Sequence, residues 1–300
     1  MTERPGHLAI VGTTASGKSA LALALARRHD DIELVSVDSM QVYRGMDIGT
    51  AKPTLAEQAE VRHHLIDLAE PDEDFTVSRF QAAFRDVLAD IEGRGRRAVL
   101  VGGTGLYLRA VVDDLTIPGQ YPDVWAELDG EPDTAALHAR LAQLDPMAAS
   151  RMEATNRRRV VRALEVSIGS GRPFSSFGPG LDAYPPTRFG LVGIDLDHDV
   201  VAARIAARFH QQVADGFVAE VEALSATPLS RTAAQALGYQ ELLAHVRGER
   251  TLDDALAEAI RRTRRFARRQ RSWFRRDPRI QWVGADETLP SLEAALTRHT

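Results

Sequence analysis

An α/β fold on a parallel sheet is predicted for this chain by three features of its residue order. The apolar run 8–11 leads into a glycine-rich turn, 12–19, followed by a strong helix former, 20–26. Apolar runs then alternate with helical spacing up to about residue 116, the alternation that builds strand-helix-strand units. Beyond that point helical spacing dominates, until a further apolar run at 189–196 resumes the strands.

Taken in order, the first strand is expected at 8–11 and the first helix at 20–26, where Ala and Leu favour the helix. A second strand is expected at 32–37, ending at Asp38. Residues 78–92 place Phe80, Phe84, Val87, Leu88 and Ile91 on one helical face and stop at Gly93 and Gly95. A buried strand at 98–101 follows, before Gly102, Gly103, Thr104 and Gly105. Pro118, Gly119 and Pro122 break the alternation, 134–167 is mostly helical, and a Gly/Pro/Ser-rich stretch, 169–186, closes the section. The organisation expected is a core in two parts, 1–116 and 189–300, with a mostly helical insertion at 117–188. The second part reads as mainly helical over 199–276.

With 44% hydrophobic and 26% charged residues among 300, the composition is that of a globular protein able to bury a sizeable core. The absence of cysteine excludes disulfides, thiolate zinc sites and cysteine nucleophiles. No leader pattern and no run of ~18 apolar residues stands out, so a cytoplasmic protein without membrane contact is expected. A net charge of −5 argues against a nucleic-acid partner, but the arginines are clustered. Arg157, Arg158, Arg159 and Arg162 form one group, and a second run extends from Arg261 to Arg279 with Asp277 its only acid. Local basic faces of this kind bind polyanions on acidic proteins, although a solvated helix face accounts equally well for the second run.

Gly12, Thr13, Thr14, Ala15, Ser16, Gly17, Lys18 and Ser19 match G-x-x-x-x-G-K-[ST], with a strand before and a helix after. The glycines let successive N–H groups turn toward phosphate oxygens, and the helix N-terminus adds its positive end. Lys18 supplies a full charge, and the Ser19 hydroxyl suits Mg2+. The fold is accordingly read as a P-loop NTPase-like core with a parallel sheet, plus the inserted helical domain. A nucleotide-hydrolysing enzyme of this type carries a metal-binding Asp at another strand end. The strand at 98–101 ends instead in glycine and threonine, leaving Asp38, or later Asp195 and Asp197. Strand ends line the ligand crevice of a parallel sheet, so Asp38 is expected near the loop; the alternative is an N-cap for a following helix.

These blocks together resemble the bacterial tRNA dimethylallyltransferases. Besides 12–19, the similarity is carried by 37–53, 63–67, 102–107, 162–166 and Arg208 with Phe209, in the family's order along nearly the whole chain. The resemblance implies attack by the exocyclic N6 of the adenine 3′ of the anticodon on C1 of dimethylallyl diphosphate, releasing pyrophosphate. It implies Asp38 as the base, and Thr14, Lys18 and Arg208 as groups acting on the departing diphosphate, with Gly12–Ser19 as its cradle and Mg2+ at Ser19. The partner implied is the tRNA anticodon stem-loop, met by Asp38, Ser39, Met40, Gln41, Thr104, Arg158, Arg159, Val160, Val161 and Arg162. Trp125 stands near a position where the family often has an arginine touching RNA; either the aromatic stacks on a base instead or the contact is absent. No obligate protein partner is implied.

Other residues point elsewhere. His63 and His64 are adjacent, which makes a poor metal pair and favours packing. Gln235, Gly238 and Tyr239 resemble a further family block, with Gly238 also readable as a helix C-cap. Trp273 and Phe274 are expected to pack the last basic helix onto the core. Two rival functions share Lys18 and Asp38: a kinase phosphorylating a small molecule from ATP, and a nucleotide-dependent RNA-binding switch.

Overall fold

Residues 8–11 are apolar without alternation, and 32–37 are buried throughout with only Glu33 and Ser36 polar, because both faces of the strands they form are covered by helices, the pattern of a parallel sheet. The computed structural model describes residues 6–284 and 288–298. Its first half runs β1 (His7–Gly12), α1 (Lys18–Ala26), β2 (Ile32–Val37), α2 (Leu55–Glu60), β3 (His63–His64), α3 (Val77–Gly93), β4 (Arg97–Gly102) and α4 (Gly105–Val112). Then come α5 (Pro122–Asp129), α6 (Thr134–Leu144), α7 (Pro146–Ser150) and α8 (Arg157–Ser170). The chain continues with β5 (Phe189–Ile194), α9 (His198–Ala214), α10 (Phe217–Leu224), α11 (Tyr239–Val246), α12 (Leu252–Phe274), β6 (Gln281–Val283) and α13 (Thr288–Arg298).

Among the described residues the sheet has the order β3-β2-β4-β1-β5-β6, parallel throughout. The expected α/β class with a parallel sheet is therefore found. The central strand β1 carries period-two packing: Leu8 and Ile10 join α1 and α13 on one face, and Ala9 and Val11 join α3, α4 and α9–α12 on the other. On α3, Phe80, Phe84, Leu88 and Ile91 are buried, each worth on the order of 2 kcal/mol of transfer free energy. Register sets the site. Val11 and Val37 both pair with Gly102, so the carboxyl ends of β1, β2 and β4 lie level.

The chain divides into two compact units, Met1–Asp113 with Pro186–Thr300, and Asp114–Pro185. Asp113 is tied to the first unit by ion pairs with Arg109 and Arg279, and Thr187 by its hydroxyl to the Val112 carbonyl. The second unit holds α5–α8 around its own core, with Leu128, Leu141, Val160 and Leu164 almost wholly buried. There Glu165 accepts from the Tyr121 amide at 2.7 Å and pairs with Arg162 at 2.9 Å.

Local details differ from expectation where tertiary contacts decide. The short edge strand β3 was not legible, because pairing with Leu34 and Val35 makes it. Its His64 meets the buried Glu33 at 2.6 Å, a packing role rather than a metal site. Gly238 starts α11 instead of ending a helix, with φ of 90° and its amide held by Glu241. No helix among the described residues is long and apolar enough to cross a membrane.

Candidate functional site

The glycine-rich loop begins where β1 ends at Gly12 and closes on a bond from the Ser16 amide to the Thr13 carbonyl, 3.2 Å. Gly17 lies at φ 90°, a left-handed conformation that glycine adopts without strain, and lets α1 start at Lys18. The N-terminus of α1 has no side-chain cap and no acidic residue in its first turn. Its positive end is thus left to an outside anion.

Side chains from α9 and α12 reach this loop. Arg208 Nη1 donates to Thr14 Oγ1 at 2.8 Å, and Arg204 Nη1 approaches the Ser16 carbonyl at 3.5 Å. Lys18 Nζ donates to the Thr13 carbonyl at 3.2 Å. Burial pushes the Lys18 ammonium down to about 8, with Arg208 acting in the same direction and Asp38 opposing. Burial likewise lowers the Arg208 guanidinium, against the pull of Asp38. Two cations and one carboxylate therefore feel one another at the strand ends. Ser16 Oγ and Arg208 Nε are buried with no partner among the described residues. Orphaned polar atoms beside an open helix N-terminus are the mark of a polar ligand.

Asp38 follows β2 and accepts from the Met40 amide at 2.8 Å, a side-chain turn. No helix begins there, so the N-cap alternative is not met; α2 starts only at Leu55. Ser39 donates its amide to Thr104 Oγ1 at 3.2 Å, joining the ends of β2 and β4. Gln41 is used within its own loop, accepting from Ser36 and donating to the Thr50 and Ala51 carbonyls, and Met40 is partly buried against the core. The rest of this long block is scaffold. The buried Lys52 ammonium binds Asp67 at 2.6 Å and the Tyr43 carbonyl at 2.8 Å. Glu220 collects the amides of Asp47, Ile48 and Gly49 and the Tyr239 hydroxyl.

Gly103 and Gly105 are required by close approach. A side chain on Gly103 would overlap the Gln270 carboxamide, and one on Gly105 the Trp273 ring. Phe274 is buried and Trp273 partly so, and both pack α12 onto the core as expected. The arginines from Arg261 to Arg279, on α12 and just beyond it, are largely engaged within the protein. Arg262 pairs with Glu241, Arg271 and Arg275 with Asp195, and Arg276 stacks on Trp273. Asp195 is thus an internal partner, and Asp197 precedes α9 at its N-cap position.

In the helical unit, Val160 and Val161 face the core, so their side chains are closed to a macromolecular partner. Arg162 is held by Glu165 and the Pro118 carbonyl, and Arg157 by the Asp129 carbonyl at 2.9 Å. Arg158 and Arg159 are exposed and make no hydrogen bond or ion pair through their side chains among the described residues. Trp125, on α5, is 36% exposed.

Sequence reasoning missed Gln270 and Arg204. Gln270 carried one faint signal: an uncharged residue in register with Thr263, Ala267 and Phe274 on the buried stripe of an arginine-rich helix. For a metal, no cluster of three His, Asp or Glu side chains exists among the described residues. Ser19, exposed at the start of α1, offers a hard oxygen. That donor set suits Mg2+, which keeps several waters and takes phosphate oxygens as ligands.

The family described as IPP transferase matches residues 41–277. The chain belongs to the IPP transferase family. Relatives within it include the tRNA dimethylallyltransferase of Bifidobacterium longum subsp. infantis, 46% identical over 95% of this chain and 88% of that protein. That of Salinispora arenicola is 50% identical over 92% of this chain and 81% of its own. Among solved structures, the full-length tRNA isopentenylpyrophosphate transferase of Bacillus halodurans is 34% identical with a TM-score of 0.70, covering 98% of this chain and 97% of its own. The IPP transferase match starts beyond the phosphate loop, and the relatives' coverage extends the likeness over nearly the whole chain.

Proposed function

We propose that this chain is a transferase that moves the dimethylallyl group of dimethylallyl diphosphate to N6 of the adenine 3′ of the anticodon in tRNA, releasing pyrophosphate. The observation that carries the reading is the meeting of an anion-holding loop with a carboxylate at level strand ends. Lys18 and Arg208 both respond to Asp38. The named activity of the relatives supports the choice of group and acceptor.

Adenine N6 is a weak nucleophile, its lone pair being delocalised into the ring. As N6 bonds to C1 of the donor, Asp38 takes the N6 proton, and the C1–O electron pair leaves with the diphosphate. Charge accumulates on that leaving oxygen. Lys18, Arg208, the Thr14 hydroxyl and the N–H groups of Ala15, Gly17, Lys18 and Ser19 are the donors proposed to receive it, within a cradle running from Gly12 and Thr13 to Ser19 whose Ser16 amide closes the loop on Thr13. Ser19 would hold Mg2+, which would supply further positive charge to the leaving group. Hydrolysis is not required, in keeping with the absence at the end of β4 of the metal-binding Asp that nucleotide-hydrolysing enzymes carry.

The acceptor adenine must leave its stack to reach the donor. Ser39, Met40, Gln41 and Thr104, around Asp38, are proposed to receive it. Arg158, Arg159 and Trp125 are proposed to hold the anticodon stem-loop, with Val160 and Val161 fixing the arginines from within and Arg162 buttressing them.

The deciding experiment incubates the protein with an unmodified anticodon stem-loop and labelled dimethylallyl diphosphate. Label is expected in the RNA without added ATP. Transfer of the γ-phosphate of ATP to a small molecule would establish the kinase instead. RNA binding gated by nucleotide, with no transfer of either group, would establish the switch.

A further inference from the structure

Gln270 uses both ends of its carboxamide on two main-chain segments. Its Oε1 accepts from the Thr14 amide at 2.8 Å, and its Nε2 donates to the Gly103 carbonyl at 2.9 Å. The side chain is 6% exposed, and Gly103 has no room for a Cβ against it. Two consequences follow from this geometry. The Thr14 N–H is withdrawn from the set that a phosphate could use, although the loop motif counts it in. The Thr14 peptide is also fixed, and with it the hydroxyl that accepts from Arg208. Gly103 in turn leads into Thr104, which holds the Ser39 amide next to Asp38.

We propose that Gln270 is a positioning residue that registers the leaving-group contacts at Thr14 against the base at Asp38. An amide is required here because one end must accept and the other donate; a carboxylate or an ammonium can satisfy only one. The proposal rests on the prenyl-transfer reading and adds to it a residue that touches neither substrate. Transfer reactions are sensitive to such registration, since small misplacements of reacting groups cost about 100-fold in rate.

The test replaces Gln270 by Met and by Glu, with turnover and pyrophosphate affinity measured separately. Q270M keeps volume and loses both bonds. Its saturated turnover is expected to fall about 10- to 100-fold while pyrophosphate affinity stays within about 3-fold. Adding Q270M to Thr14→Val is expected to cost less than about 2-fold more, because the group being positioned is already gone. In Q270E, protonation restores the donor toward Gly103, so its activity relative to wild type should rise as pH falls.

Unchanged turnover in folded Q270M would overturn the proposal, as would a full multiplicative loss in the Thr14→Val background. Should Q270M not fold, a Q270E pH profile parallel to wild type would overturn it alone. Wild-type protein that transfers no prenyl group sinks the reaction reading itself. Normal wild-type transfer with an indifferent Gln270 sinks only this inference.

Discussion

Arg208 donates to the Thr14 hydroxyl at 2.8 Å while its Nε remains buried and unpartnered among the described residues. A guanidinium with one arm spent on the loop and another edge unpartnered is set to receive a second acceptor, and the proposed leaving diphosphate would supply it. Arg208→Lys keeps the charge and loses the fork. Turnover at saturating substrates is expected to fall about 10- to 100-fold, and Arg208→Gln about tenfold further. Single-turnover rates with bound donor check this; a lysine variant as fast as wild type would show that charge alone suffices.

Asp38 has two tasks that substitution can separate. Its carboxylate caps the Met40 amide, and it is the proposed proton acceptor. Asp38→Asn retains the cap and removes the base, so turnover should fall about 100- to 10,000-fold with the protein equally stable. Donor affinity is expected to hold or rise, because one negative charge leaves the neighbourhood of Lys18 and Arg208. Equal turnover in Asp38→Asn and wild type would remove the assignment.

How far the site was legible follows from how local each signal is. The phosphate loop and β2 with its terminal Asp38 could be read because strand, turn and helix signals lie within a few residues of one another. Gly103 could be read as unusual but not explained, since its reason, Gln270, is 167 residues away. The arginine run from Arg261 to Arg279 left two readings open for a similar cause. Asp195 and Glu241, which neutralise Arg271, Arg275 and Arg262, lie outside the run. Charge density along a chain does not show which charges are already paired. Val160 and Val161 show the same limit inside the helical unit. Position in a motif placed them with the RNA contacts, and helical phase placed them in the core.

Glu220, on α10, ties down the long loop after β2. Its carboxylate serves three consecutive amides and the Tyr239 phenol, whose ionisation is pushed up by burial first and by Glu220 second. Glu220→Ala leaves those donors with no acceptor and should cost about 2–4 kcal/mol of stability. The denaturation midpoint measures it. Activity should fall in parallel, since this block carries the chain from Asp38 to Lys52. A stable, fully active Glu220→Ala variant would show that water replaces the carboxylate.

Lys18 gives the site a pH dependence whose sign can be worked out. Its folded value is lowered to about 8 by burial, from an ordinary 10.5. Between those limits the unfolded chain holds more protons, so this group's contribution to stability rises as pH rises through the window. Below about 8 the protein bears the full cost of an enclosed ammonium. A bound diphosphate reverses that balance by stabilising the charge, so binding above pH 8 must draw a proton from solvent. At pH 8.5, calorimetric titration with dimethylallyl diphosphate in the absence of RNA should show uptake of more than about half a proton, read from the buffer dependence of the heat. Lys18→Met should abolish this uptake and weaken binding about 10- to 100-fold. Uptake that persists in Lys18→Met would assign the proton to another group, and absence of uptake in wild type would mean that Lys18 is already charged before the ligand arrives.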